Sequence, residues 1–245
     1  MTNNPQETNL DDIVSQILGS IPEVERAEVR LPSLGKIYGL ESEYVHLRAM
    51  TFDDEKALLA LKDKSQAINL LISRCLEENI DPRSLIQQDK IFLIIQIRNL
   101  SVGSNYDVDI FCNSCNEKNS FTVDVLNTFS CNYPDEPLEK TREIELPVIK
   151  QKVVVRRATA TELEQPTEKL YQNLWRFVVS IAGNSSTKVK IEVMDKLPRK
   201  DIHAIVNALG SSEIGLNTNF LFQCEHCGFE EVNDLTTSPD FFTMR

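Results

Sequence analysis

Two Cys-x-x-Cys pairs constrain this chain more than any other feature: Cys112 with Cys115 and Cys224 with Cys227, set 112 positions apart in 245 residues. Each pair sits where one strand-like run turns into another. A closed, tetrahedral structural zinc site takes four thiolates, and one knuckle supplies only two of them. The expectation is one structural Zn2+ per chain, held by Cys112, Cys115, Cys224 and Cys227, which ties distant segments to one point. Two other readings compete. The pairs can be turns that merely contain cysteine, or thioredoxin-like redox pairs, which need Cys-x-x-Cys at a helix N-terminus in a βαβ setting. Strand-like flanks on both pairs argue against the second. Asn116 follows the first pair and Gly228 the second, and both residue types tolerate the left-handed turn of a knuckle. His226 is expected to turn its ring away, because four thiolates already complete the site. Cys75 falls on an apolar helical stripe and reads as a small buried hydrophobe. Cys131 is assigned no role.

Aligning the two pairs exposes a repeat. Asp89 precedes Cys112 by 23 positions, as Asp201 precedes Cys224. Within that window Gly103 falls on Gly215, Asn105 on Asn217 and Leu93 on Ile205. Upstream, Arg48 to Thr51 with Asp54 answers Arg156 to Thr159 with Glu162. Each Thr-x-x-acid resembles a capping box, in which hydroxyl and carboxylate satisfy the first free amides of a helix. Glu28 to Pro32 answers Glu143 to Pro147. The sequence therefore predicts an α+β fold of two tandem duplicated modules, each running hairpin, helices and zinc-knuckle hairpin, sharing one four-cysteine zinc-ribbon-like site. The boundaries read as an arm (1–26), a first module (27–127), a linker with Pro134 and Pro137 (128–140), a second module (141–236) and a tail (237–245). Strands are expected near 27–31, 43–49, 106–111 and 120–125, then 142–147, 151–157, 220–223 and 230–234. Helices are expected over 52–62, 65–78 and 89–100, then 167–182 and 198–209, the last two stopped by Gly183 and Gly210.

Charge narrows the function. The net charge is -11, the opposite of what a chain gripping phosphates usually carries. Residues 1–20 show no basic and then apolar leader, and the longest apolar run, 91–97, is too short to span a bilayer. The cysteines are thus expected to meet a reducing compartment, where such pairs bind metal more often than they form disulfides. There is no phosphate-binding loop or nucleophile elbow, and of the three histidines, His46, His203 and His226, neither His46 nor His203 has a Ser or Cys motif beside it. No catalytic residue is assigned.

The ends differ from the body. Residues 9–19 read as a short amphipathic helix with Ile13, Val14, Ile17 and Leu18 in one apolar stripe. A helix this short needs a surface to pack on, either its own domain or a partner groove. Phe241 and Phe242 in the tail pose the same choice.

Taken in order, Leu31-Pro32-Ser33-x-Gly35-x-x-Tyr38, Arg48-x-Met50-Thr51-x-x-Asp54-Glu55 and Ile97-Arg98-x-Leu100-Ser101-x-Gly103-x-x-Tyr106, leading into Cys112-x-x-Cys115, resemble the baseplate hub and hub-assembly proteins of T4-like contractile-tailed bacteriophages. The resemblance covers most of the first module and, more loosely, the second. It implies a non-enzymatic role through contacts with other tail and baseplate hub proteins, with no nucleic acid, membrane or small-molecule substrate. The expected location is the host cytoplasm during assembly, with either retention in the virion or release as an assembly factor left open. The alternative is a zinc-ribbon nucleic-acid-binding or regulatory protein. That needs basic residues around the knuckles, where only Lys118 stands among Asp107, Asp109, Glu117, Glu225, Glu230 and Glu231. A hydrolase or redox enzyme comes third.

Overall fold

Period-two alternation and well-placed helix caps set the first half of the chain. The computed structural model describes residues 10–210 and 213–234; Phe241 and Phe242 lie outside the described residues. A short helix, α1 (Leu10–Ser20), precedes an antiparallel hairpin of β1 (Arg26–Arg30) and β2 (Tyr44–Arg48). Val29 stands opposite Val45 and Ala27 opposite Leu47, so one face of the hairpin is apolar. Its connection passes through Gly35 at φ 76, where an added Cβ would meet the Ser42 carbonyl oxygen at 2.6 Å. Thr51 then caps α2 (Phe52–Leu59) in a full capping box with Asp54. Next come α3 (Lys64–Cys75) and the buried α4 (Gln87–Val102). The hairpin of β3 (Asn105–Phe111) and β4 (Lys118–Asp124) follows, then α5 (Val125–Thr128) and the two-residue β5 (Cys131–Asn132). Helix α3 stops short of the expected residue 78 because Leu76 bridges to Leu47 and the Glu77 N–H donates to the His46 carbonyl.

The second half opens the same way, with β6 (Thr141–Glu145) paired to β7 (Lys152–Arg156) and Thr159 capping α6 (Ala160–Leu163) in a second capping box with Glu162. The single helix expected over 167–182 does not form. Helix α7 (Thr167–Gln172) ends, a 3-10 turn spans Leu174–Arg176, and the chain enters a strand, β8 (Val178–Ile181). Val178, Val179 and Ile181 are β-branched, and the open edge of β7 offers them partners: Val155 faces Val178 and Val153 faces Ile181. Gly183 accordingly stands in the turn after β8, at φ 79, and does not stop a helix. An additional helix, α8 (Thr187–Met194), precedes α9 (Arg199–Leu209), which Gly210 caps as expected. The chain closes with β9 (Gly215–Leu216) and a hairpin of β10 (Asn219–Gln223) and β11 (Glu230–Asp234).

Three buried clusters result among the described residues. One gathers Leu31, Leu47, Ile72, Leu93 and Val123 in the first half, and one gathers Leu146, Val153, Val178 and Ile205 in the second. A small third holds Cys112, Phe222 and Cys224 at the hairpin tips. The halves interlace. Residues 131–132, within the stretch read as a linker, pair with Leu216 and Gly215, and Leu216 and Phe220 pack on the first core. The Ala160 N–H donates to the Leu85 carbonyl, and the buried Lys90 ammonium donates to Glu164 at 2.9 Å.

Candidate metal centre

Both knuckle turns are built alike. In the first, Cys112 N–H donates to the Glu117 carbonyl and Asn116 N–H to the Cys112 carbonyl; in the second, Cys224 N–H donates to Phe229 and Gly228 N–H to Cys224. The residue closing each turn is left-handed, Asn116 at φ 60 and Gly228 at φ 71, which is the conformation these two residue types tolerate best. Behind the turns, β3–β4 and β10–β11 pack inner faces together, with Phe121 stacked on Phe222 at 5.9 Å and edge-on to Phe220 at 5.7 Å.

That packing brings all four sulfurs within 4.8 Å of one another. Cys112 Sγ lies 3.7 Å from Cys227 Sγ, and Cys115 Sγ lies 3.6 Å from Cys224 Sγ. These are cross-knuckle pairs, and they are reciprocal: the first cysteine of each turn faces the second of the other. A tetrahedron with metal–sulfur bonds of about 2.3 Å has sulfur–sulfur edges of about 3.8 Å. The four thiols therefore fit a soft tetrahedral ion of the zinc or iron class.

The electrostatics point the same way. Burial opposes ionisation of Cys224, but the backbone amides of Cys227 and His226 and the Asn119 side chain outweigh it and bring its pKa down to about 6. At Cys115 the Glu117 amide favours the thiolate, yet burial and the three neighbouring sulfurs push the thiol up to about 12. Cys224 forms its thiolate readily and Cys115 resists, because negative sulfurs this close repel one another. A bound cation removes that conflict.

Polar side chains from each hairpin reach the opposite knuckle. Asn119 accepts from the Glu225 N–H at 2.9 Å and sends its Nδ2 toward Cys224 Sγ at 3.5 Å; Asn113 Nδ2 donates to Glu231 Oε2. Neither Asn119 nor Asn113 is singled out by the sequence. A signal existed for Asn119: it occupies the inward phase of β4 with Phe121 and Val123, where a polar residue needs a partner. His226 turns its ring away from the sulfurs, with Nε2 3.3 Å from the Lys118 carbonyl oxygen. Cys75 is buried and Cys131 half-buried, both apart from the cluster. Ile13, Val14, Ile17 and Leu18 of α1 are all exposed. A cleft of about 320 Å3 between the halves is lined by Tyr38, Ser84, Arg156, Arg157 and Thr159. Its arginines are engaged, Arg156 with Glu162 and Arg157 with the Glu139 carbonyl.

These features define a mixed α+β protein whose distant hairpins meet at a four-thiol cluster suited to a metal ion. The chain matches the family model described as T4 bacteriophage base plate protein over residues 21–243, and it belongs to that family. It is thus a phage baseplate protein, and α1 lies ahead of the matched region. Neither curated proteins nor solved structures give a significant match. Among the described residues no helix is long and apolar enough to cross a membrane.

Proposed function

We propose that the chain is a non-enzymatic structural or assembly protein of the baseplate hub, acting through protein contacts and stabilised by one Zn2+ on Cys112, Cys115, Cys224 and Cys227. The reciprocal sulfur pairing carries this reading. It joins residues far apart in sequence, and four thiolates leave no open ligand position for catalysis. Because such a site does not pre-exist in the unfolded chain, its binding free energy counts as folding free energy.

The two halves, 27–127 and 141–236, are read as copies of one module joined through 128–140 and related by an approximate two-fold axis through the metal. Matching clamps support this. Arg48 pairs with Asp54 and Arg156 with Glu162, each acid also accepting from its capping threonine's N–H. Buried Asp89 accepts from Ser33 N–H, and buried Asp201 from Val148 N–H. The exposed stripe Ile13, Val14, Ile17 and Leu18 is a docking helix for another hub protein, and Phe241 and Phe242 are assigned the same role.

Elemental analysis should find one zinc per chain, lost equally in Cys112→Ser and Cys224→Ser. Two ions, none, or retention in one variant would overturn the shared site. Affinity capture from infected cells should recover hub proteins; recovery of nucleic acid or polymerase subunits in their place would overturn the baseplate role.

A further inference from the structure

The two metal-linked hairpins share one register, which makes each a control for the other. In β3–β4 the outward pairs are Asp107–Thr122 and Asp109–Ser120; at the same ladder positions in β10–β11 they are Asn219–Asp234 and Leu221–Val232. At these two positions the first face is polar and satisfied, its exposed aromatic, Phe111, standing one outward pair nearer the tip opposite Lys118: Ser120 donates to Asp109, Thr122 donates to Asp107, and Lys118 pairs with Asp109. The second presents two aliphatic side chains directly across from each other, Leu221 67% and Val232 68% exposed. Their strands already bury Phe220 and Phe222 on the opposite face, so the core does not require them. Burying both on a partner removes apolar area from water, the favourable term in association.

The border of this face limits what can cover it. The described stretch 213–234 holds Glu213, Glu225, Glu230, Glu231 and Asp234 and contains no Lys or Arg. Gln223 donates to Glu230 at one end of the aliphatic pair, and Asp234 closes the other. Four thiolates on a divalent ion add further negative charge at the hairpin tip. Phosphates and anionic lipid headgroups are repelled by such a rim, and a second copy of the same face meets its own sign.

We infer that the outer face of β10–β11 docks on a baseplate protein through an apolar patch bordered by Lys and Arg, with Leu221 and Val232 as the inserted pair. This rests on the reading of the chain as a baseplate contact protein. The acidic rim steers and orients the partner, and the aliphatic pair supplies the buried contact.

The test uses the full-length, metal-loaded chain in infected cells, with a photocrosslinking amino acid at position 221 and, separately, at the equivalent position 109. The expected result is one crosslinked baseplate protein from position 221, at a peptide carrying Lys or Arg beside apolar residues, and none from position 109. Crosslinking of position 221 to this chain itself, to nucleic acid or to lipid, or its failure to crosslink, overturns the inference. Capture of a protein from outside the baseplate on a basic-bordered patch would support the surface and remove the baseplate reading. A second readout is the double variant Leu221→Asp/Val232→Ser, which copies the first hairpin's face. It should keep its metal stoichiometry and melting transition yet enter baseplates at least tenfold less; normal incorporation overturns the inference.

Discussion

The side chain of Asn119 bridges the two knuckle hairpins, its Oδ1 accepting the Glu225 N–H at 2.9 Å while its Nδ2 lies 3.5 Å from the Cys224 sulfur. A residue of the first hairpin thus holds the second in place. Asn119→Ala strands an N–H and loosens a ligand, at a cost of about 1–3 kcal/mol and a fall of roughly 10–100-fold in metal affinity. Chelator competition measures this. Unchanged metal retention would remove Asn119 from the role.

Asp54 couples stability to acidity. Burial alone would raise its pKa, but Arg48, the Thr51 N–H and Arg74 outweigh it and hold the carboxyl well below the usual carboxylate range. The folded value lies under the unfolded one, so the contribution is complete above about pH 4 and is lost as pH falls through the folded value. Asp54→Asn should cost roughly 2–3 kcal/mol at pH 7, less than a fully buried pair because both arginines reach water. In urea titrations, the gap to the parent protein should narrow steadily toward pH 2; a gap independent of pH would contradict this.

Lys90 and Glu164 join the two halves asymmetrically. The Lys90 side chain is 4% exposed and that of Glu164 45%. Glu164→Ala leaves a buried ammonium unpaired and should destabilise by about 1–3 kcal/mol. Lys90→Met replaces the charge with an apolar chain of similar length and should be near neutral. Denaturation midpoints decide; equal losses from both variants would refute the asymmetry.

Two glycines, each nine positions ahead of a knuckle's first cysteine, should respond differently to alanine. Gly103 (φ 92) has open space around an added Cβ, whereas at Gly215 (φ 96) the new atom meets the Gln88 Cβ at 2.9 Å. Both variants carry positive-φ backbone strain of about 1–3 kcal/mol. Only Gly215→Ala adds a clash against α4, so its melting temperature should fall further. Equal shifts would show that α4 moves aside freely.

Local chemistry was the legible part of this chain. Thr51 and Thr159 announced their helices through acids three residues on, and the cysteine pairs marked both hairpins. What escaped depends on partners distant in sequence. Leu170, Leu174, Phe177, Val178 and Ile181 fit a helical spacing as well as a strand, and only the free edge of β7 decides for β8. Cys131 and Asn132 carry no strand signal of their own; Leu216 and Gly215 make them one. In the candidate metal centre, the sulfurs were legible because a four-thiol site needs two such pairs, whereas the reach of Asn113 to Glu231 depends on how the hairpins pack.

The crossed sulfur pairs also impose an order on synthesis. Cys115 finds its facing sulfur in Cys224, and Cys112 in Cys227. At a translation rate of about 5–20 residues per second, the second pair leaves the ribosome roughly 6–20 s after the first. During that interval the nascent first hairpin has half of the four thiols and no cap from the second. The clasp waits on the second pair, so a truncated product lacking that pair cannot close it.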